Sequence, residues 1–281
     1  MYNKRIIFIA GTSYSGSTLL DLIFSNNSKA TSVGEIESIF NPVKKHHLTK
    51  IEEVKKDSVW APIYYSGVAE LYQNLHELLG VELIVDSSKN PAWIRYHIDR
   101  MPNDVSYNVV LVYKTLPDLK HSFEKRNRNN WAKVYKNYHS LFFNIIDEFE
   151  RIEFSSIPLQ SKEFLTLFDK LGLTYSNERM KFWDQKRTNF FGNNNANIAF
   201  YSDSNNDARK LKYLSKTNNE VSSEIGRILQ DNRELKEIVS FLNSDSGSNE
   251  APKSSQLMDN YIFRYTIKKI RVVLNHVRFL Q

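Results

Sequence analysis

The sequence predicts an α/β fold in which helices flank a central parallel sheet. Three short apolar runs support this prediction, because each is followed by a polar loop and then by a helical pattern. The runs cover residues 5–9, 81–85 and 107–113. Successive strand–loop–helix units of this kind form parallel sheets with crossover helices.

The first unit contains a small polar loop with two glycines, Gly11-Thr12-Ser13-Tyr14-Ser15-Gly16-Ser17-Thr18. A helical pattern follows from Ser17 to Phe24. Glycines five residues apart let the backbone wrap closely around an anion. The N-terminus of the following helix adds free N–H groups and the positive end of its dipole. The loop therefore predicts a site for a phosphate or similar oxyanion. A turn that binds nothing is the alternative.

The loop nearly matches the P-loop signature G-x-x-x-x-G-K-[ST]. Gly11, Gly16 and Thr18 fit the signature, whereas Ser17 stands where the lysine is expected. That lysine reaches the β- and γ-phosphates of a nucleoside triphosphate. An ordinary ATPase or GTPase is therefore disfavoured. The fold class we predict is a P-loop-NTPase-like three-layer sandwich with a central parallel sheet flanked by helices.

Composition narrows the classes of protein that need to be considered. The chain has 281 residues, of which 41% are hydrophobic, enough for one large domain or two small ones. The absence of cysteine excludes disulfide scaffolds, thiolate metal sites and a cysteine nucleophile. No apolar run approaches the length of a membrane span, and the first one is too short for a signal peptide. A cytoplasmic protein is expected, with peripheral membrane contact as a further option.

The formal net charge is +6, and most of it lies at the C-terminal end. From Leu257 onward the chain has five basic residues and one acidic residue. The remainder is nearly neutral, so general nucleic-acid binding by the main domain is not expected.

Further elements are predicted from periodicity. Helical patterns cover residues 68–79, 93–100, 131–150, 164–173 and 220–242. A short extended segment covers 31–33, and Phe154 is expected to open another short strand. Residues 41–66 have no clear pattern, and the basic run from Lys44 to His47 is interpreted as a solvated loop, since no third metal ligand is suitably spaced.

Polar groups follow three of the predicted strands. Gly34-Glu35 follows the segment 31–33, Asp86-Ser87-Ser88-Lys89 follows the second apolar run, and Lys114, with Ser122 beyond it, follows the third. Open α/β sheets place ligand contacts at the carboxyl ends of their strands. A solvated turn is the alternative interpretation of Gly34-Glu35.

Taken in order, these motifs resemble the sulfotransferases that use 3′-phosphoadenosine 5′-phosphosulfate (PAPS). The run from Gly11 to Leu20 is similar to the 5′-phosphosulfate loop of that family, which typically reads G-x-x-R-S-G-T-T-L-L. Lys114-x-x-Pro117-x-x-x-x-Ser122 is similar to its 3′-phosphate motif, and Gly192-Asn193 to its late G-N loop. The resemblance covers residues 5–242.

The resemblance implies transfer of a sulfonyl group from PAPS, without a metal, to a hydroxyl or amine of a carbohydrate, lipid or other small molecule. Glu35 matches the catalytic glutamate of tyrosylprotein sulfotransferases and would remove the acceptor proton. We expect Lys89 to stabilise charge on the leaving phosphate oxygen. The residues that would bind PAPS are Thr12, Ser13, Tyr14, Ser15, Gly16, Ser17, Thr18, Lys114 and Ser122.

Three residues depart from the pattern of the family. Tyr14 stands where an arginine or lysine commonly meets the phosphosulfate, and Lys114 replaces an arginine. Asn197 lies near the place of a basic residue. Two alternatives therefore stay open: a nucleotide or small-molecule kinase with a degenerate P-loop, and a non-catalytic binding protein that keeps the fold.

The predicted organisation is a sulfotransferase-like domain over residues 1–243, a flexible linker over 244–256 and a basic amphipathic helix over 257–281. The linker consists largely of Ser, Gly, Asn, Pro and charged residues. The C-terminal helix could dock on the domain, form a homodimer contact or lie on an anionic membrane. The expected partner is a small-molecule or glycan acceptor.

Overall fold

The protein is described here by a computed structural model that covers residues 4–182, 223–244 and 250–253. Its centre is a sheet of five parallel strands, which confirms the predicted α/β fold. The strands are β1 Lys4–Ala10, β2 Ala30–Gly34, β3 Leu83–Lys89, β4 Val105–Tyr113 and β5 Glu150–Glu153. Their order across the sheet is β2-β3-β1-β4-β5.

Helices connect the strands and cover both faces of the sheet. In the described ranges they are α1 Ser17–Ser25, α2 Glu37–Phe40, α3 Lys45–Val54, α4 Trp60–Ser66, α5 Leu71–Leu79, α6 Pro91–Ile98, α7 Leu116–Glu124, α8 Trp131–Ile145, α9 Lys162–Lys170, α10 Asn177–Met180, α11 Ser223–Asp231 and α12 Arg233–Asn243. No helix in these ranges is long and apolar enough to span a bilayer.

Side-chain alternation along β1 divides the core into two parts. Ile6 and Phe8 pack on one face with residues of α5, α6, α8 and α12. Ile7 and Ile9 pack on the other face with residues of α1 and α9. Successive residues of a strand point to opposite faces, so one strand supplies both cores. The structure therefore has the three layers that the sequence predicted.

The central position of β1 places its C-terminal loop in the middle of the sheet edge. β1 pairs with β3 on one side and with β4 on the other. Ala10 lies opposite Lys89 of β3 and Leu111 of β4. The segments that follow β3 and β4 consequently flank the loop after β1, and the segment that follows β2 lies one strand further out.

Some elements differ from the expectations. The expected strand at Phe154 is instead a 3₁₀ turn from Phe154 to Ser156, because β5 ends at Glu153. The polar residues Asp86 to Lys89 belong to β3, whose pairing continues through them. The helical pattern 220–242 forms two helices, α11 and α12, because Asn232 caps α12 by accepting a hydrogen bond from Leu235 N (3.1 Å).

The segment 41–66 forms α3 and α4, so the basic run from Lys44 to His47 begins a helix, where a solvated loop was expected. His47 is buried, and its Nδ1 accepts a hydrogen bond from Val43 N (3.2 Å). The expected G-N loop at Gly192-Asn193, Asn197, the C-terminal helix 257–281 and most of the linker lie outside the described residues. The proposed division into domain, linker and helix stays a prediction.

Candidate active site

The loop after β1 is held in a conformation that depends on glycine. Gly16 has φ 101° and precedes the first residue of α1. A Cβ atom at this position would lie 2.0 Å from the ring of Phe154. The carbonyl of Gly16 accepts the first hydrogen bond of the helix, from Leu19 N at 3.0 Å. The close approach of Phe154 thus fixes the point where the loop enters α1.

The expected effect of Gly16→Ala is a large loss of stability. The left-handed backbone costs a residue with a Cβ about 1–2 kcal/mol, and the overlap with Phe154 adds to this cost. Gly80→Ala is the matched control, since Gly80 also has a positive φ (61°) but open space around it. Urea unfolding should show a clearly larger loss for Gly16→Ala. Equal losses would mean that Phe154 yields to the methyl group.

The loop also buries hydroxyl groups. Ser15 is fully buried, and its Oγ has no hydrogen-bond partner among the residues that the structure describes. Thr12 and Ser17 are nearly as buried, whereas Ser13 is exposed. A buried hydroxyl without a partner costs about 1–3 kcal/mol. An oxyanion bound in the loop would supply the missing acceptor.

Glu35 and Lys89, the two predicted catalytic residues, form an ion pair. The contact joins Lys89 Nζ to Glu35 Oε1. β2 and β3 are neighbours in the sheet, and the two residues lie at or just after their carboxyl ends. Burial is the largest single effect and raises the pKa of Glu35, but the Lys89 ammonium, together with Lys44 and His47, lowers the pKa overall. Glu35 is therefore a carboxylate at neutral pH and can accept a proton.

Tyr138 of α8 links this ion pair to the loop. Gly11 N donates a hydrogen bond to Tyr138 Oη (2.6 Å), and the same hydroxyl donates to the carbonyl of Lys89 (2.6 Å). Lys89 has a left-handed backbone, with φ 69°. One side chain thus holds the start of the loop and the unusual backbone of Lys89 in a common position. The sequence predicts only a helical pattern over residues 131–150 and gives no sign of this contact.

The side chains of Lys114 and Ser122, the two residues predicted to bind a 3′-phosphate, are in contact. Lys114 Nζ donates to Ser122 Oγ (3.1 Å), which donates to the carbonyl of Asp118 (2.8 Å). The ammonium lies 4.6 Å from the centre of the Phe154 ring. The Phe154 ring also packs against Gly16. Because Lys114 and Gly16 contact the same ring, Lys114 lies beside the loop.

Burial lowers the pKa of Lys114 to about 8. The Asp118 carboxylate opposes this shift and the Arg126 guanidinium reinforces it. The ammonium therefore lies in a place where it lacks the solvation and counter-charge it would have in water. A phosphate in contact with it would supply that counter-charge.

Two arginines that the sequence analysis did not assign lie against the loop. The guanidinium carbon of Arg126 is 4.1 Å from the centre of the Tyr14 ring, and that of Arg128 is 5.8 Å away. Arg126 also donates to the carbonyl of Ser122 (2.7 Å). The two guanidinium groups thus bring positive charge next to the Tyr14 ring, although Tyr14 itself is not basic. The four-residue spacing from Ser122 to Arg126 was the available signal, because it predicts that both lie on one side of a helix, although α7 ends at Glu124 and Arg126 lies in the turn after it.

Asp86 belongs to the support of the site. It is buried and accepts hydrogen bonds from Trp93 Nε1 (3.0 Å), from the backbone N–H of Ser88 (2.7 Å) and from the Tyr72 hydroxyl. Asp21 of α1 is also buried, and Ser87 donates to it at 2.7 Å. Burial raises the pKa of Asp21 to about 7, although hydrogen bonds from Ser32 and Ser87 oppose the shift.

Within the described ranges, no group of three or more His, Asp or Glu side chains is arranged to hold a metal ion.

Comparison with known proteins supports the fold. No protein-family model and no curated protein match the sequence. Among solved structures, the sulfotransferase domain of the olefin synthase of Synechococcus PCC 7002 matches with a TM-score of 0.53 and 14% identity, covering 87% of this chain and 97% of that domain. A sulfotransferase domain of the curacin biosynthetic pathway matches with a TM-score of 0.50 and 14% identity, covering 81% and 97%. The chain therefore has a sulfotransferase-type fold.

Proposed function

We propose that the protein transfers a sulfonyl group from PAPS to a hydroxyl or amine of a small-molecule or glycan acceptor. The observation that carries the proposal is the place of the Lys114–Ser122 pair. Phe154 contacts both Lys114 and the position of Gly16, so a cation that could bind a second phosphate adjoins the anion loop. A donor with a 5′-phosphosulfate and a 3′-phosphate matches this pair of sites.

The residues present support the following roles. The loop from Thr12 to Thr18 would hold the phosphosulfate through its backbone N–H groups and hydroxyls. Lys114 and Ser122 would hold the 3′-phosphate, which distinguishes PAPS from ATP. The Arg126 guanidinium, stacked on Tyr14, would add positive charge to the loop.

The proposed reaction is a direct displacement at sulfur. The acceptor oxygen or nitrogen forms a bond to sulfur while the bond between sulfur and the phosphate oxygen breaks. Glu35 takes the proton of the acceptor, as a general base within hydrogen-bond reach. Lys89 stabilises the negative charge that the phosphate oxygen gains, and adenosine 3′,5′-bisphosphate leaves.

The decisive test of the donor is thermal stabilisation by nucleotides. Adenosine 3′,5′-bisphosphate should raise the melting temperature, because a ligand that binds only the folded state stabilises it. Adenosine 5′-monophosphate is the control that lacks the 3′-phosphate. Stabilisation by ATP with magnesium, and none by adenosine 3′,5′-bisphosphate, would favour a kinase and overturn the proposal.

Transfer itself separates an enzyme from a binding protein that kept the fold. Incubation with sulfur-labelled PAPS and a panel of phenols, glycans and lipids should yield a labelled product. Tight binding of adenosine 3′,5′-bisphosphate without transfer to any of these acceptors would favour the binding protein.

We expect the affinity for adenosine 3′,5′-bisphosphate to fall as pH rises through 8. The low pKa of Lys114 means that its ammonium loses its proton in this range. Between about pH 7 and pH 9 the affinity should fall by about tenfold. Lys114→Arg should remove this pH dependence, because a guanidinium stays charged. Calorimetry at several pH values measures the effect, and an identical profile in both proteins would assign the 3′-phosphate to another cation.

A further inference from the structure

The hydroxyl of Tyr138 has its hydrogen-bond roles fixed by its partners. The backbone N–H of Gly11 can only donate, and its nitrogen lies 2.6 Å from Tyr138 Oη, so the hydroxyl accepts there. The carbonyl of Lys89 can only accept, and it also lies 2.6 Å away, so the hydroxyl proton points to it. The hydroxyl therefore forms a direct link between the start of the anion loop and the end of β3.

The end of β3 departs from regular strand geometry. Phe8 of β1 lies opposite Asp86, and Ala10 lies opposite Lys89, so β3 has one residue more than β1 between these two pairs. An extra residue of this kind, as in a β-bulge, bends a strand and turns a side chain in a new direction. Lys89 also has a positive φ of 69°. The direction of the Lys89 side chain thus depends on an irregular backbone.

This backbone conformation needs contacts that hold it. A left-handed conformation is unfavourable for a residue with a Cβ atom. The ion pair with Glu35 compensates only weakly, because the side chains of Lys89 and Glu35 are 19% and 38% exposed and solvent screens the attraction. The Tyr138 bond acts on the backbone of Lys89 itself, and the Tyr138 ring stacks on Phe142 of the same helix. α8 therefore supplies a fixed point for the end of β3.

We propose, resting on the proposed function, that Tyr138 is a positioning residue of the transfer reaction. Its hydroxyl holds the backbone of Lys89 so that the ammonium faces Glu35, and it fixes this pair relative to the loop that would bind the phosphosulfate. The base and the group that stabilises the leaving oxygen must both be in place around the donor, because small displacements of reacting groups lower rates strongly. A hydroxyl bonded to both the loop and Lys89 meets this need.

The titration of Glu35 tests this inference without an acceptor. Tyr138→Phe removes the hydroxyl and keeps the ring. Lys89 should then move away from Glu35, and the pKa of Glu35 should rise toward its value in Lys89→Met, because burial opposes the carboxylate. Lys44 and His47, which also lower this pKa, are the same in all these proteins. NMR of the full-length protein with ¹³C-labelled glutamate follows the carboxyl carbon, and Glu35→Gln assigns its signal.

Tyr113→Phe is the matched control for the loss of a tyrosine hydroxyl. Tyr113 is also buried, and its hydroxyl donates to a backbone carbonyl, that of Leu242, at 2.6 Å. This variant should lose stability in urea unfolding but leave the pKa of Glu35 unchanged. An equal rise of that pKa in Tyr113→Phe and Tyr138→Phe would reflect general loosening of the fold and would overturn the inference.

The neighbours of Lys89 provide the competing explanation. Ser88 Oγ accepts a hydrogen bond from Glu37 N (3.1 Å), and Asn90 Nδ2 donates to the Glu37 carboxylate (2.6 Å). If these bonds are enough to direct Lys89, the catalytic base will titrate alike in the wild type and in Tyr138→Phe. That result would also overturn the inference.

Transfer rates provide a second test, with an acceptor taken from the labelled panel. At saturating PAPS, Tyr138→Phe should lower the single-turnover rate by about 10–100-fold. In the Lys89→Met background the same change should have little further effect, because Tyr138 acts through Lys89. A full additional loss in that background would mean that the hydroxyl serves the loop instead, and the inference would be wrong.

The two measurements separate the two levels of the proposal. If the wild type neither binds adenosine 3′,5′-bisphosphate nor transfers a sulfonyl group, the proposed function is wrong. The titration of Glu35 in Tyr138→Phe still shows in that case whether Tyr138 directs Lys89.

Discussion

Glu35→Gln is expected to lower kcat by about 10²–10⁴-fold while leaving the affinity for adenosine 3′,5′-bisphosphate nearly unchanged. The amide keeps the shape of the side chain but cannot accept the acceptor proton. It also leaves the Lys89 ammonium without its counter-charge. The measurement is single-turnover transfer from sulfur-labelled PAPS, together with calorimetry for the nucleotide.

Glu37→Gln is the control for a nearby carboxylate. The Glu37 side chain accepts hydrogen bonds from Asn90 Nδ2 (2.6 Å) and Asn41 Nδ2 (3.3 Å), so it has a structural role beside the site. This variant should retain much more activity than Glu35→Gln. If the two variants lose activity equally, or if Glu35→Gln is fully active, Glu35 is not the base.

Lys89→Met is expected to lower kcat by about 10²–10³-fold, since removal of one group that stabilises transition-state charge has an effect of this size. Methionine keeps the length of the unbranched stem and removes the charge. The change should also alter the pH profile. Without the ammonium, burial dominates at Glu35 and raises its pKa, so the acid limb of the kcat profile should move to higher pH.

Two comparisons distinguish this role from a structural one. Lys89→Arg restores the charge and should recover part of the rate, whereas Lys45→Met removes an exposed lysine and should have little effect. The effects of Lys89→Met and Glu35→Gln should not add in the double variant, because the two groups are in contact. Additive effects, or an unchanged pH profile in Lys89→Met, would argue against the role assigned to Lys89.

Periodicity and motif spacing predicted the parts of the fold that depend on local sequence. The apolar runs that became β1, β3 and β4 were recognised because buried parallel strands are nearly continuous in hydrophobic residues. The segment 41–66 was not assigned, since α3 is mostly polar and buries only His47, Ile51 and Val54. The position of β5 was shifted, because Phe154 is apolar like a strand residue but packs against Gly16 from a 3₁₀ turn.

Local sequence patterns also predicted part of the candidate site. The residues at the ends of the strands could be named from the rule that parallel sheets gather ligand contacts at one edge. Tyr138 could not be named, because its hydroxyl reaches Gly11 over 127 positions of sequence. Its pattern along α8 is that of a core aromatic, and only the tertiary structure shows that one of its atoms lies between the loop and Lys89.

Because Arg126 stacks on Tyr14, the positive charge beside the loop comes from a residue outside the loop. It therefore does not depend on a basic residue at position 14. In such a chain, an aromatic residue can replace a basic residue at position 14 without loss of the positive charge, provided that the segment after α7 supplies an arginine. The two positions should then vary together among related chains. An aromatic residue at the loop position should accompany an arginine beyond α7, and a basic residue there should make that arginine dispensable.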